Sequence, residues 1–242
     1  MKKLLSIAIL SFFLNDLQAQ FPKVLERAGD AIQGKSTAGL TNEEVIAGLK
    51  EALGNGAREA VEIASRPDGF WGNDRLRIPF PPEAEKMRTT LLRIGMEEQV
   101  NRFEITMNRA AEQASSEAAQ IFLSAIKGMS VADGMAILKG GDHSATDLLR
   151  ERTSPDLIAR FRPIVESATK EVALAEYWSP LAGAYNKAGM LTGAKAVDPD
   201  LDGYVTQKAI DGLFLLVAEE EARIRKDPAA RTSELLRRVF GN

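Results

Sequence analysis

Cysteine is absent from the 242-residue sequence, and histidine occurs once, as His143. The absence of cysteine excludes disulfide bonds, thiolate metal ligands, a cysteine nucleophile and a lipid-modified cysteine. One histidine does not supply a typical zinc site or, without partners at matched geometry, a catalytic triad, so we interpret His143 as a surface loop residue. Aromatic residues make up only 6% of the chain, which favours helices over sheets. No metal and no cofactor is predicted.

An excess of either charge is also lacking. The formal net charge is −3, from 31 basic and 34 acidic side chains. Such a balance gives no broad attraction to nucleic acid or to anionic lipid. The basic residues near the C-terminus are not interleaved with aromatic rings, and no glycine-rich phosphate loop is present. We therefore predict no nucleic-acid partner.

The beginning of the chain has the three-part pattern of a secretory signal peptide. Two lysines precede an apolar run from Leu4 to Leu14, and a polar stretch then ends at Ala19. The run is shorter than the roughly 20 residues that span a bilayer. We predict a signal peptide over residues 1–19, a mature chain that begins at Gln20, and a periplasmic location. The main alternative is an uncleaved anchor; after cleavage we expect no integral membrane segment.

The rest of the chain has the pattern of one all-α domain over residues 20–242, because apolar residues recur at steps of three and four. Thr41 and Glu44 have the pattern of a capping box, which predicts the start of a helix. Gly54-Asn55-Gly56 weakens the middle of that helix without ending it. Residues 177–202 are the least regular part. The predicted helices cover residues 21–32, 41–64, 82–93, 97–127, 131–138, 144–152, 154–172 with a kink or restart at Pro163, 204–226 and 228–240.

Residues 66–82 form a structured loop, since four prolines and two glycines exclude a long helix there. We expect a short strand over Leu76 to Phe80. Arg75 and Arg77 lie on the same side of that extended segment. They either fork an anion or a carboxylate, or tie the loop to acidic helices, which is the interpretation we favour. Phe70-Trp71 is the expected apolar anchor of the loop.

A polar group interrupts the apolar pattern of the helix predicted over residues 97–127. Asn108 and Glu112 are four residues apart and Arg109 and Glu112 are three apart, so they share one side of the helix. The group predicts either a polar network within the helix packing, which we favour, or a ligand site. Together with residues elsewhere, the candidate ligand or interaction residues are Arg75, Arg77, Asn108, Arg109, Glu112 and Asp211.

The run from Asp198 to Gly203 matches the first half of a calcium-binding EF-hand loop, with acidic residues at positions 1, 3 and 5 and glycine at position 6. The bidentate glutamate of position 12 is replaced by Ala209. We therefore interpret the run as an acidic turn that caps the following helix, with Asp202 near the positive end of its dipole.

Several short runs are spread in one order over most of the chain: Gly48 to Leu53, Arg77 to Pro81, Met107 to Glu112, Ala145-Thr146, Tyr204 to Thr206, Asp211 to Phe214, Ile224 to Pro228 and Val239 to Gly241. Together they resemble a bacterial envelope family known as domain of unknown function 4197. The resemblance implies an exported helical protein with no assigned activity, cofactor or partner. Asp211-Gly212 and Arg77 to Pro79 belong to the family pattern, whereas His143, Asp198 and Asp200 do not.

These observations predict a non-enzymatic binding or scaffold module of the periplasm. It would act through a helical groove or the 66–82 loop on an envelope protein or a small ligand. One alternative is a hydrolase-like enzyme that uses Glu104, Glu112 or Asp211 together with Arg109. Another is peripheral association with the membrane. Convergence of the candidate residues in one concave pocket would favour a ligand or catalytic site.

Overall fold

All regular structure is helical in the computed structural model, which describes residues 41–170, 178–192 and 195–226. The predicted all-α class is therefore confirmed over these residues. The helices are α1 (Asn42–Ser65), α2 (Glu85–Arg93), α3 (Glu97–Ser115), α4 (Ala118–Lys127), α5 (Val131–Lys139), α6 (Ser144–Thr169), α7 (Trp178–Thr192) and α8 (Leu201–Lys226), with a 3-10 turn at Pro82–Ala84 before α2.

Helix α8 lies at the centre of the bundle and packs against α1, α3 and α6, while α4 contacts α1 and α6. Aromatic rings close the core between these helices. Phe122 meets Phe214 edge-on with ring centroids 5.5 Å apart. Both rings are fully buried, and burial of each stabilises the fold by about 1.5–3 kcal/mol.

Helix α1 begins at the predicted capping box. Thr41 Oγ1 accepts a hydrogen bond from the Glu44 N–H at 3.2 Å, and Glu44 Oε2 accepts one from the Thr41 N–H at 2.8 Å. The helix runs unbroken through Gly54 and Gly56, as predicted. A Cβ at Gly56 would lie 3.2 Å from the Cβ of Glu220 on α8. The glycine that weakens the isolated helix therefore permits close packing of α1 against α8.

The single helix predicted over residues 97–127 is wrong, because a turn after Ser115 separates α3 from α4. The Ser115 and Ser116 hydroxyls each donate at 2.7 Å to a backbone carbonyl, four and three residues earlier respectively. Such bonds compete with the helical ladder and favour a bend or an end. The apolar pattern did not reveal the turn because buried alanines continue in phase on both sides of it.

The break predicted between residues 152 and 154 is also wrong. Helix α6 is continuous through Pro155 and Pro163, although each proline removes a backbone hydrogen bond. The loss is offset by burial of one complete apolar face. Each of its members is at most 1% exposed: Leu149, Leu157, Phe161 and Val165.

The region predicted to be least regular, residues 177–202, contains helix α7. Its first residue, Trp178, stacks on Phe103 with ring centroids 5.7 Å apart and meets Phe80 edge-on at 5.6 Å. The Trp178 indole N–H donates to the Asp198 carbonyl at 3.0 Å. The contacts of the Trp178 ring anchor the first residue of a helix that the local sequence pattern does not predict.

The short strand predicted over Leu76 to Phe80 does not form. Leu76, Ile78 and Phe80 are buried while the residues between them are exposed, which is the alternation of a strand. The backbone there has no second strand beside it within the described residues. A side chain of α3 takes the place of the missing ladder, as described below.

Three predictions lie outside the described residues: the signal peptide over residues 1–19, the helix over 21–32 and the helix over 228–240. The predicted domain start at residue 20 lies outside them as well. Among the helices that are described, none is by itself long and apolar enough to cross a membrane.

Helix α5 begins at a second capping box. Asp133 Oδ2 accepts a hydrogen bond from the Ser130 N–H at 2.8 Å, and Ser130 Oγ accepts one from the Asp133 N–H at 3.1 Å. Arg152 on α6 donates to Asp133 Oδ1 at 2.7 Å. The hydrogen bond from Arg152, with those from Ser130, lowers the pKa of Asp133 to about 2. This carboxylate links the start of α5 to α6.

The substitution Asp133→Asn tests that link. The folded-state pKa of Asp133, about 2, is lower than the value of about 3.9 in an unfolded chain. The charge therefore stabilises the fold above about pH 4, and this contribution is lost as the pH falls toward 2. Chemical denaturation should show wild type more stable than the variant near neutral pH, with the difference disappearing at about pH 2. The exposed Glu59→Gln should show no such dependence, and a pH-independent loss for Asp133→Asn would contradict the assignment.

Candidate functional site

The 66–82 loop leaves α1 through a tight turn. Asp68 has a φ of 63°, in the left-handed region that Asp adopts more readily than most residues. A Cβ at Gly69 would overlap the last backbone carbonyls of α1, so only glycine fits there. The turn brings the backbone N–H groups of Phe70 and Trp71 to the last turn of α3.

Glu112 on α3 holds the two N–H groups that follow this turn. Its side chain is buried, at 4% exposure. Oε1 accepts from the Phe70 N–H and the Trp71 N–H, each at 3.1 Å, and Oε2 accepts from Arg109 Nη1 at 2.7 Å. Because both oxygens are satisfied by donors, one of them a guanidinium, the buried charge is compensated.

Asn108, one turn earlier on α3, holds the other half of the loop. Its Oδ1 accepts from the Ile78 N–H at 2.8 Å, and its Nδ2 donates to the Ile78 carbonyl at 2.9 Å. Nδ2 also donates to the Glu104 carbonyl at 2.8 Å. The fully buried amide therefore pairs with the backbone of Ile78 as a neighbouring strand would.

Arg109 joins the buried Glu112 to the surface. Besides Glu112, its guanidinium donates to Asp68 Oδ1 at 2.8 Å. The hydrogen bond to Glu112 raises the pKa of Arg109 above its usual value, and the bond to Asp68 adds to this. The side chain remains charged and ties the turn at Asp68 to α3.

Arg75 and Arg77 are both engaged at the outer side of the loop. Arg77 Nε donates to the Trp71 carbonyl at 2.7 Å, and its guanidinium lies 4.8 Å from the centre of the Trp71 ring. Arg77 also faces Asp74 at 3.6 Å. Arg75 forms an ion pair with Glu219 on α8. The two arginines therefore tie the loop to itself and to an acidic helix, which is the interpretation favoured from the sequence.

Phe70 and Trp71, predicted together as the apolar anchor of the loop, have different environments. Phe70 is fully buried and packs against Gly212 on α8, where a Cβ would lie 2.8 Å from the ring. Trp71 is only half-buried. Of these two residues, Phe70 anchors the loop in the core, while Trp71 supports Arg77 at the surface.

Asp211 does not join the other candidate residues. Its carboxylate accepts from Arg150 on α6 at 3.1 Å and from Gln207, one turn earlier on α8, at 3.1 Å. The Arg150 guanidinium in turn lies 4.4 Å from the centre of the Phe214 ring. Asp211 therefore connects α8 to α6.

The structure thus gathers Arg77, Asn108, Arg109 and Glu112 around the backbone of the 66–82 loop. Two grooves, of about 170 and 570 Å³, are lined by other residues. The polar network within the helix packing, favoured from the sequence, is the arrangement observed, with a loop as its second partner.

A second buried carboxylate, Glu221 on α8, was not recognised in the sequence. At 4% exposure it accepts from the Ala145 N–H at 3.0 Å and from the Thr146 N–H and hydroxyl at 2.9 and 2.8 Å. Arg225 Nη2 donates to it at 2.8 Å. Glu221 thereby caps α6 from another helix, and the only sequence signal was its spacing of four residues from Arg225.

The acidic run before α8 acts as a helix cap, as interpreted from the sequence. Asp200 Oδ1 accepts from the Gly203 N–H at 2.9 Å and from Arg162 at 2.9 Å. Asp202 accepts from the Thr169 hydroxyl at 2.7 Å. His143 is exposed in the loop before α6. Over the described ranges, no three His, Asp or Glu side chains are grouped so as to hold a metal ion.

The isosteric substitution Glu112→Gln tests the attachment of the loop. An amide offers one acceptor where the carboxylate offers two, so either the two loop N–H groups or Arg109 loses its partner. We expect the free energy of unfolding to fall by about 2–3 kcal/mol in chemical denaturation. The Phe70 and Trp71 amides should also exchange hydrogen faster, because local opening becomes easier.

Glu117→Gln is the matched control, since Glu117 lies in the turn just after the same helix but is half-exposed, with Arg160 at 3.8 Å. We expect a change below about 0.5 kcal/mol there. Equal losses in the two variants would show that Glu112 does not hold the loop.

No curated protein and no solved structure matches the chain. The family model described as protein of unknown function (DUF4197) matches residues 39–241, which is most of the sequence. The match extends from just before the capping box of α1 to beyond the end of α8, so it includes the loop, both buried carboxylates and the whole described bundle. The chain belongs to the DUF4197 family of proteins of unknown function.

Proposed function

We propose that the protein is a non-enzymatic binding or scaffold module of the bacterial periplasm, and that it engages its partner through the outer side of the 66–82 loop. The observation that carries this proposal is the fixation of a long surface loop by two buried polar side chains, Asn108 and Glu112. Loops longer than about 12–15 residues without regular structure are uncommon in compact domains, and those that are ordered usually have a function such as binding.

The way in which the loop is held supports a binding role. A buried polar group destabilises a fold unless its hydrogen bonds are complete, as those of Asn108 and Glu112 are. The fold therefore fixes the conformation of the loop in advance. A preformed loop loses little conformational entropy when a partner binds, which favours affinity.

The outer side of the loop carries groups suited to recognition. The side chains of Arg75 and Arg77 are 59% and 43% exposed, and Arg77 is stacked on the half-buried Trp71. A guanidinium held over an aromatic ring is well placed to bind a carboxylate in two-point fashion. A partner with exposed acidic groups, either an envelope protein or a small anionic ligand, fits this surface.

The placement of the three acidic residues proposed for a hydrolase favours the non-enzymatic function. Glu112 is occupied by two loop N–H groups and Arg109, and Glu104 accepts from Arg88 at 2.7 Å. Asp211 is paired with Arg150 on α6. A pair of carboxylates for acid–base chemistry must share a reacting centre, and these three each serve a separate contact.

The double substitution Arg75→Ala/Arg77→Ala tests the binding surface. We expect it to reduce capture of the partner from envelope extract by at least about tenfold, because each charge-assisted contact contributes about 1.5–3 kcal/mol. Quantitative mass spectrometry of the captured proteins and anionic metabolites is the measurement. The matched control is Lys86→Ala/Arg93→Ala on the adjacent α2, where both side chains are exposed. Equal capture by the two double variants would overturn the role of the loop.

The periplasmic part of the proposal rests on residues 1–19, whose basic start, apolar run and small final residue are typical of a cleaved signal. We expect the protein recovered from a periplasmic extract of a bacterial host to have the intact mass of a chain that starts at Gln20. Recovery of the uncut chain in the membrane fraction would instead support the uncleaved anchor.

A further inference from the structure

A surface groove of about 570 Å³ lies between α4 and α6, apart from the 66–82 loop. Its volume falls within the range of small-molecule binding sites, about 300–1,000 Å³. The α4 wall includes an amide, a hydroxyl and two apolar side chains, those of Gln120, Ser124, Ile121 and Ala125. The α6 wall carries one charge of each sign. A groove with this lining suits a small polar molecule rather than an apolar one.

The two charges of the α6 wall, Arg152 and Asp156, are four residues apart, the spacing at which opposite charges on a helix are neighbours and can pair. They do not pair with each other here. Arg152 Nη2 donates instead to Asp133 on α5 at 2.7 Å. Asp156 is exposed and has no ion pair with any residue that the structure describes. Its carboxylate is therefore open to a cation.

The end of α4 adds to the preference for a cation in this groove. The Met129 N–H donates to the Ile126 carbonyl at 3.2 Å rather than to the carbonyl of Ala125. The carbonyl of this groove residue therefore lacks its helical hydrogen bond. The C-terminal end of a helix also carries partial negative charge, which favours a cation within its last turn. An ammonium group, with three N–H donors, satisfies both a carboxylate and a free carbonyl.

Arg152 retains the capacity to bind an anion although it contacts Asp133. A guanidinium has five N–H donors, and within the described part of the chain only one hydrogen bond, that to Asp133, is formed. Asp133 in turn accepts two further hydrogen bonds from Ser130, at 2.8 and 2.9 Å, so its charge is compensated. The remaining N–H groups of Arg152 are able to hold a carboxylate.

We propose that this groove binds a dipeptide, with the terminal ammonium group on Asp156 and the terminal carboxylate on Arg152. Side chains one helical turn apart have Cβ atoms about 6 Å apart. An extended dipeptide spans roughly 7 Å, whereas a free amino acid spans only about half of that length. On the facing wall, the Gln120 amide and the Ser124 hydroxyl supply hydrogen bonds for the peptide group, and Ile121 supplies apolar contact for a side chain.

Titration with L-alanyl-L-alanine tests the proposal, with nitrogen-15 NMR of the full chain as the measurement. Concentrations up to about 10 mM are suitable, because a site with few contacts binds in the millimolar range. We expect saturable shifts of the Gln120, Ser124 and Asp156 amide signals. The N-acetylated dipeptide, the dipeptide amide and free L-alanine should each bind at least about tenfold more weakly, because each lacks one charge or the required length.

Two variants test the site itself. Asp156→Asn should weaken binding of L-alanyl-L-alanine at least about tenfold, and Ser124→Trp should abolish it by filling the groove. Both positions are exposed, so circular dichroism should remain that of the parent protein. Glu151→Gln, exposed on α6 but not a lining residue, is the matched control and should leave affinity unchanged. The proposal is overturned by shifts confined to other residues, by the absence of saturable shifts, or by equal affinity of Asp156→Asn, the acetylated dipeptide or free L-alanine.

Discussion

The tertiary structure depends on two buried carboxylates that each bind a pair of consecutive backbone N–H groups. Glu112 holds the N–H groups of Phe70 and Trp71, and Glu221 holds those of Ala145 and Thr146. Each carboxylate also accepts a hydrogen bond from an arginine on its own helix. For Glu112 this is Arg109, three residues earlier, and for Glu221 it is Arg225, four residues later. The same arrangement thus attaches a loop to α3 at one place and the start of α6 to α8 at another.

Such attachments are stable only when they are complete. A buried carboxylate without donors would destabilise the fold by several kcal/mol, and backbone N–H groups without acceptors would add to that loss. Each glutamate therefore accepts hydrogen bonds from the backbone N–H groups of a segment distant in sequence. The same hydrogen bonds compensate the buried charge of the glutamate. The result is a helical bundle whose main surface loop has a fixed conformation, with Trp71 and Arg77 held outward. This fixed surface is the feature on which the proposed binding role rests.

Much of the fold could be predicted from the sequence because its signals are local. The capping box at Thr41 places the start of α1 correctly, and the prolines of residues 66–82 identify the loop. In two of the failures, distant packing overrides local preference. Helix α6 passes through two prolines because its apolar face is buried, and α7 forms where Trp178 finds Phe80 and Phe103. The candidate site was predicted in part: Asn108, Arg109 and Glu112 do act together, but the sequence does not show that their partner is a loop.

The sequence by itself determined the helical class, the loop, the family pattern and the absence of thiol chemistry, since each depends on composition or on residues close together in the chain. Only the tertiary structure decided which charged side chains are buried and what they bind. Glu219, Glu220 and Glu221 are adjacent and chemically identical, yet of these three only Glu221 caps α6. The orientation of α8 turns Glu221 toward Ala145 and Thr146, which precede it by 76 and 75 residues in the sequence. Whether a charged side chain is buried depends on which distant segments of the chain pack against it. The residues next to it in the sequence do not reveal those contacts.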